Sequence, residues 1–400
     1  MTMPSSTRLV KIGARAARLR DLEPVIADER PSVVGAEHHH LGSFGKAVRR
    51  SRREQLAAFL DRTGVLSALV KWRERTPAPW LSILTYHRFP GPAAVEPFDE
   101  GVVDATADEF ERQVITLKKH FSVVGTDELC AFAQGASLPK NPVAITFDDG
   151  YASVHEHALP VLKRHDCKAI VFVATSFISD RSIYWWDRVA YVVKQSKRDE
   201  MWLEYPFPMQ IDLSCSDDAI GRVLRVIKAH PGLDLTRLLD EVSKAAGVPF
   251  TREMDQAFAD QLLMNWDQIR ELKAAGIDVE SHTRTHRVLG TLSAQDLAAE
   301  LRGSSDDLAR ELGAPPRALA YPVGKPIARE SRIRSELSRA GYVIAFTNGT
   351  GPTPIGGLVD PFGISRHMVD RGASDAYCLA VLTLPALAAR QAWRLDQQET

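Results

Sequence analysis

From about residue 80 the chain alternates short apolar runs with longer amphipathic stretches. LSILTY (81–86), FSVV (121–124), VAITF (143–147), KAIVFVA (168–174), IDVES (277–281), RALAYP (317–322) and YVIAFT (342–347) predict strands. Helices are predicted between them. In TADEFERQVITLKKH (106–120), Thr106 and Glu109 form a capping box, and Phe110, Val114 and Leu117 recur at helical spacing. SVHEHALPVLKRH (153–165) reads as a helix despite Pro160, and WDQIRELKAAG (266–276) as one that ends on Gly276. SAQDLAAELRGSSDDLARELG (293–313) opens on a second capping box, Ser293 and Asp296, and ARESRIRSELSRAG (328–341) follows. Strands alternating with helices in this way predict parallel βα units. About seven of them predict a closed or nearly closed α/β barrel, whose chemistry sits at the C-terminal ends of its strands.

Three regions break the rhythm. Residues 176–264 form an insertion rich in aromatics, among them Tyr184, Trp185, Trp186, Tyr191, Trp202, Tyr205 and Phe207. It reads as a small core packed over the barrel, as a lid offering rings to a sugar, or as both. Residues 1–79 read as a basic extension, partly helical or mobile. Within residues 1–54 there are 11 Lys and Arg against 6 Asp and Glu, 11 − 6 = +5, densest in KAVRRSRR (46–53). That density suits a solvated face or a contact with anionic lipid headgroups, where each basic residue gains about 1 kcal/mol. The three histidines 38–40 read as loop. Residues 371–400 predict a C-terminal helix. Its apolar stretch AYCLAVLTLPALAARQAW is broken by Pro385, and reads as buried or surface-docked rather than membrane-spanning.

Composition narrows the class. The 400 residues are 44% hydrophobic and 25% charged, as in a soluble globular protein, and the net charge of −1 gives no field that would attract nucleic acid. Cys130, Cys167, Cys215 and Cys378 form neither a CxxC pair nor a disulfide framework, which suits a reducing compartment. The first 25 residues lack an apolar signal core, so a cytoplasmic setting is expected, with the basic region touching the inner membrane face.

VAITFDDGYAS (143–153) is an apolar strand that ends in two adjacent carboxylates, Asp148 and Asp149, before Gly150. Buried charges need a partner or a metal. At another strand end, ESHTRTH (280–286) sets His282 and His286 four residues apart, and a helical turn there would put both imidazoles on one side. Two neutral imidazoles and one carboxylate make a three-ligand set for a zinc-like ion with a place left for water. The other carboxylate is then free to take a proton from that water. Each motif alone is weak; their joint placement at two strand ends is not. His87 and Arg88 also close a strand, where they suit a rim pair or a substrate-positioning role. His155 and His157, on the helix after the Asp pair, read as surface or packing residues.

TFDDGY and SHTRTH resemble the first two motifs of the polysaccharide deacetylase family, the carbohydrate esterases of the chitooligosaccharide and peptidoglycan deacetylase type. ILTYHR, YWWDRVAY and WDQIRELKAAGIDVESHTRTH are similar to one branch of that family, and the resemblance runs over roughly residues 80–370. It implies a distorted (β/α)7 barrel, with Asp148 as catalytic base and Asp149, His282 and His286 as ligands of a divalent metal, zinc first, then cobalt, nickel or manganese. In LAYPVG (319–324) Ala320 stands where the family has an arginine, and Val323 where it has a tyrosine whose backbone N–H serves the oxyanion hole. A backbone donor survives that change. Arg366, in ISRHMV at a further strand end, can supply the missing charge, and His367 resembles the histidine that protonates the leaving group. Tyr321, Trp185 and Trp186, with His87 and Arg88, are the expected substrate contacts.

The function expected on this resemblance is metal-dependent removal of an N-acetyl group from an amino sugar. With the cytoplasmic reading, the substrate would be an intracellular precursor of a surface polysaccharide, lipid-linked or activated. Two alternatives stay open: an O-acetyl esterase or other amide hydrolase using the same machinery, and an inactive glycan-binding barrel.

Overall fold

The structure is a computed structural model and describes residues 52–91, 97–324, 330–349, 351–369 and 371–384. The strands are β1 (Trp80–Tyr86), β2 (Ser122–Val123), β3 (Pro142–Phe147), β4 (Ile170–Val173), β5 (Glu200–Leu203), β6 (Met209–Asp212), β7 (Asp278–Ser281), β8 (Ala318–Ala320), β9 (Ile344–Thr347), β10 (Thr353–Pro354), β11 (Ile364–Ser365) and β12 (His367–Met368). The main sheet runs β10-β1-β3-β4-β7-β8-β9-β11, with β12 beside β1 and β2 beside β3. All of its pairings are parallel except that of β10 with β1.

This is the α/β barrel read from the sequence, nearly closed, with one stave reassigned. Residues 121–124 supply only the two-residue β2 beside the start of β3. The remaining stave is residues 364–368. Ile364 and Ser365 pair with β9, and two residues on, His367 and Met368 pair with β1. The same short segment therefore spans both edges of the sheet, and Arg366 sits at the seam.

Alternation along the strands separates two apolar environments. Leu81, Ile83, Ala144, Ile170, Phe172, Ala320 and Phe346 pack inside the barrel. Alanines at 144, 318 and 320 leave room for Phe172 and Phe346, whose ring centroids are 5.5 Å apart at 60°. The opposite faces, including Leu84, Tyr86, Ile145 and Phe147, pack outward against the helices. Fully burying one such large side chain contributes about 1.5–3 kcal/mol.

Around the barrel lie α3 (Ala107–His120), α4 (Thr126–Ala133), α5 (Leu159–Arg164), α6 (Thr175–Asp180), α11 (Trp266–Ala274), α12 (Ala294–Leu312) and α13 (Ser331–Arg339). The expected capping box opens α3: Thr106 Oγ1 accepts from Glu109 N, and Glu109 returns a carboxylate oxygen to Thr106 N. Pro160 is tolerated because a wider π-helical turn, Val154–Ala158, precedes α5 and absorbs the missing hydrogen bond.

The insertion contributes α7 (Trp185–Gln195), the antiparallel pair β5–β6, α8 (Ser216–Ala229), α9 (Leu235–Ala246) and α10 (Arg252–Leu262). Its apolar residues are continuous with the outer face of the barrel, so it has no core of its own. Helices α1 (Arg52–Arg62) and α2 (Val65–Arg75) pack with α14 (Asp375–Thr383) through Ala57, Leu66, Tyr377, Ala380 and Val381. Of the polybasic stretch 46–53, all but Arg52 and Arg53 lie outside the described residues, as do residues 1–45 and the segment from Pro385 onward. Among the described residues no helix is long and apolar enough to cross a membrane.

Candidate active site

Ala144 and Thr146 of β3 face the barrel interior, and Asp148 keeps their parity one step past the strand end. Its N–H donates to Tyr86 O at 2.8 Å, which holds the strand geometry to that point. The Asp148 carboxylate is buried and receives both arms of Arg366, Nη1 to Oδ1 at 2.7 Å and Nη2 to Oδ2 at 2.6 Å. Nη1 also donates to Thr146 Oγ1 at 3.3 Å, and the guanidinium carbon lies 5.4 Å from the Phe172 ring centroid. Burial alone would raise the Asp148 pKa, but the Arg366 charge and its two hydrogen bonds outweigh it and hold the carboxyl well below the usual carboxylate range. The seam of the barrel thus brings Arg366 to Asp148.

Asp149 leaves the strand. Its φ of 70°, followed by 72° at Gly150, turns the backbone through the left-handed region. A Cβ at Gly150 would stand 3.1 Å from Val173 Cγ1, so glycine answers both the turn and the close approach. The turn aims Asp149 Oδ1 at the two histidines, 3.4 Å from His282 Nε2 and 3.5 Å from His286 Nε2, while those two nitrogens are 3.1 Å apart. The histidines converge, but not on the helical turn expected from their spacing. They sit on a loop in which Thr283 and His286 have φ of 67° and 52°.

Three features of this cluster fit a divalent cation. Asp149 Oδ1 is buried and has no hydrogen-bond partner. His282 Nδ1 lies 2.8 Å from Ala320 O, a carbonyl that can only accept, so Nδ1 is the donor and Nε2 is the ring atom turned towards the cluster. Burial, and then the neighbouring His282, push the His286 pKa down to about 3, which keeps that ring in its neutral, ligating form. The three ligand atoms lie within 4.8 Å of one another, and among the described residues this is the group of histidine, cysteine and carboxylate side chains able to share an ion.

The insertion braces the cluster. Trp186 presents its ring edge-on to His286, centroids 4.5 Å apart at 64°, and stacks on Tyr184 at 4.3 Å and 7°. Tyr184 donates its hydroxyl to Asp149 O. Trp186 Nε1 donates to Tyr151 Oη at 2.9 Å, and Tyr151 Oη donates to Asp187 Oδ2 at 3.0 Å. Asp187 Oδ1 in turn accepts from Asp99 N at 3.0 Å. Trp185 Nε1 donates to the His286 carbonyl at 3.4 Å. Both tryptophans are buried, so the expected sugar-stacking role gives way to support of His286 and Asp149.

Three more expectations are corrected. Tyr321 is fully buried on the outer face of the barrel, with its hydroxyl donating to Phe362 O at 2.9 Å. Arg88 is buried rather than at a rim. Its Nη2 donates to Asp99 O at 2.8 Å, and its guanidinium lies 5.5 Å from the Tyr151 ring centroid. His367 is in register with Leu84, a residue of the outer face, whereas Arg366 faces inward. Alternation therefore turns His367 away from Asp148.

His87 takes the inward parity of Ile83 and Thr85 and is buried. Its Nδ1 lies 3.1 Å from Asp104 Oδ2, and its N–H donates to the same oxygen. Burial would lower its pKa, but the Asp104 charge and hydrogen bond, helped by Asp149 and Asp148, push it up to about 9. Asp104 was not legible as a site residue, because nothing in DATADEF distinguishes it from a helix-capping acid. Val323, half-buried in the turn after β8, has φ 54°, an unusual state for a β-branched residue. His155 pairs with Glu271 at 2.8 Å, and His157 meets the Phe89 ring edge-on, both in keeping with surface and packing roles.

The family model described as polysaccharide deacetylase matches residues 135–202 and 233–345. Staphylococcus aureus proteins named poly-β-1,6-N-acetyl-D-glucosamine N-deacetylase are 23% and 27% identical over 171 residues, 42% of this chain. The match spans 57% of the length of those relatives. Among solved structures, the Streptococcus pyogenes deacetylase PplD in complex with acetate aligns at 18% identity and a TM-score of 0.48, covering 76% of this chain and 99% of that one. IcaB from Ammonifex degensii aligns at 19% and 0.44, covering 77% and 98%. The chain carries a polysaccharide deacetylase domain.

Proposed function

We propose that this protein is a metal-dependent deacetylase that hydrolyses the N-acetyl group of an amino sugar within a glycan or glycan precursor. The observation that carries the reading is the unpartnered Asp149 Oδ1 facing Nε2 of His282 and Nε2 of the neutral His286, beside an ionised Asp148. A divalent ion held by those three, zinc by preference, with cobalt, nickel or manganese as substitutes, would acidify water and polarise the acetyl carbonyl. The named activity of the Staphylococcus aureus relatives makes β-1,6-linked N-acetylglucosamine the first substrate to test.

The remaining steps belong to the chain's own side chains. Asp148 is ionised throughout the physiological range and accepts the proton that the attacking water loses. Arg366 orients it with two hydrogen bonds, the task the family arginine has elsewhere. The carbonyl oxygen gains charge as the water adds, and the Val323 N–H is the backbone donor assigned to it. Strained backbone at that residue is of the kind that functional turns retain. His87, held charged by Asp104, gives a proton to the departing sugar nitrogen, the step first read onto His367. Acetate and the free amine result. Exchange with bulk water then reprotonates His87 and deprotonates Asp148.

Incubating metal-loaded protein with β-1,6-linked N-acetylglucosamine oligomers and following acetate by mass spectrometry tests the reading. Loss of 42 Da (about one acetyl replaced by hydrogen) per processed sugar, abolished by chelation, is expected. Acetate from O-acetylated glycans alone would move the protein to the esterase alternative. Tight glycan binding with no acetate would make it a binding barrel. The cytoplasmic setting and a basic contact with anionic membrane remain part of the proposal, and cell fractionation tests them.

A further inference from the structure

Helix α12 has an inner face that is not apolar throughout. Between Leu297 and Leu308 it buries Glu300, Ser304 and Asp307, at i, i+4 and i+7, which is one stripe along a helix. All three face the segment that carries the two histidines. Glu300 Oε2 accepts from Arg284 N at 3.0 Å and Thr285 N at 2.8 Å, and Oε1 accepts from the Thr285 hydroxyl. Ser304 Oγ shares a hydrogen bond with Ser281 Oγ at 2.7 Å, and Ser281 Oγ accepts from Thr283 N at 3.1 Å. Asp307 Oδ2 accepts from Thr175 Oγ1 at 2.8 Å and Arg284 Nε at 3.2 Å. Gly303 belongs to the same arrangement. A Cβ there would stand 2.8 Å from Arg284 Cδ, so the glycine, which costs a helix interior up to about 1 kcal/mol, lets Arg284 lie across α12.

The segment needs an external restraint. Thr283 and His286 both sit in the left-handed region, which a free chain of non-glycine residues rarely adopts. Its backbone N–H groups at 284 and 285, in part-buried contacts, would lose their carboxylate acceptor if Glu300 were absent. We infer that the polar stripe of α12 is a template that fixes the separation of His282 and His286, with Glu300 its central positioning residue. The inference rests on the metal reading proposed above. Glu300 touches none of the three ligand side chains in the contacts described; it acts through the backbone between two of them. A site held ready in this way binds its ion without first ordering the loop, and outer-shell partners of this kind change metal affinity by about 10–100-fold.

Calorimetric titration of zinc into chelator-stripped full-length protein tests this. Glu300→Gln keeps the size of the side chain but turns an amide towards two N–H donors. It is expected to weaken the zinc Kd by about 10–100-fold while kcat at saturating zinc stays near wild type. Glu336→Gln is the control: Glu336 is equally buried, but pairs with Arg302 and Arg339 on another helix surface, and its loss should leave the zinc Kd unchanged. If Glu300→Gln does not fold, Gly303→Ala, which pushes Arg284 aside, is expected to weaken the Kd in the same direction. An unchanged Kd in Glu300→Gln or Gly303→Ala, with only a lower melting temperature, would overturn the template. Failure of the wild type itself to bind zinc would instead remove the metal reading on which it rests.

Discussion

Asp148 keeps the inward parity of β3 and meets Arg366, whereas Asp149, one residue later, takes a left-handed turn and meets two histidines. Their different environments follow from a single change of backbone direction, and the requirement for Gly150 marks that change in the sequence. The Asp–Asp–Gly run and the His pair were legible because chemistry demands those residue types. Arg366 was legible as a candidate for the missing charge, but its two-armed contact with Asp148 was not, since closing the barrel across residues 364–368 is a long-range event that no local pattern reports. Removing it has a definite cost. Arg366→Met leaves a buried carboxylate uncompensated, so denaturant unfolding should show a loss of about 3–5 kcal/mol together with a fall in kcat. Unchanged stability and turnover would mean that the pair is incidental. The His87–Asp104 pair carries a pH prediction. An exposed imidazole is charged only below about 6.5, whereas His87 holds its proton up to about 9. Its raised pKa means that the donor form, and the stability of the pair, are fully present below pH about 6.5 and are lost as pH rises through about 9. kcat/KM should therefore fall on an alkaline limb there, and Asp104→Asn should move that limb to lower pH. A limb that does not move would take His87 out of the proton-donor role.

Helix α7 illustrates what happens to an element read from pattern alone. Its Tyr-Trp-Trp start was legible as aromatic and important, but the direction its rings take depends on which helix face meets the barrel. Trp186 points at His286 from behind, with Tyr184, Tyr151 and Asp187 completing the support. Trp186→Ala should cost about 3–5 kcal/mol in unfolding experiments through the cavity it leaves. It should also weaken zinc binding, because the His286 ring loses its edge contact. Weaker glycan binding with zinc affinity intact would restore the sugar-stacking role. Strand alternation likewise decided Tyr321 and His367. Both lie next to residues of the site in sequence, and both face outward because the period of a strand is two.

At the scale of the whole molecule, the insertion shares an apolar cluster with outward-facing residues of the barrel, while α1, α2 and α14 form a separate one. The rhythm of strands and helices gave away the barrel because each element buries one face and so must carry a periodic sequence. The closing stave showed only as the strand end at Arg366 and not as a periodic run, since four strand residues are too few to register a period. The separate cluster predicts separable effects. Leu66→Ala should destabilise the protein by about 2–5 kcal/mol without changing zinc affinity. A shift in zinc Kd would show that the helical cluster communicates with the site.

On the proposed mechanism one aspartate takes the proton while its neighbour helps hold the ion. The rate of acetate release by zinc-loaded Asp148→Asn protein, at a zinc content matched to wild type, tests it most directly. A fall of at least about 100-fold with the zinc still bound is expected, the contribution of a positioned general base. Acetate release at the wild-type rate from that variant would contradict it.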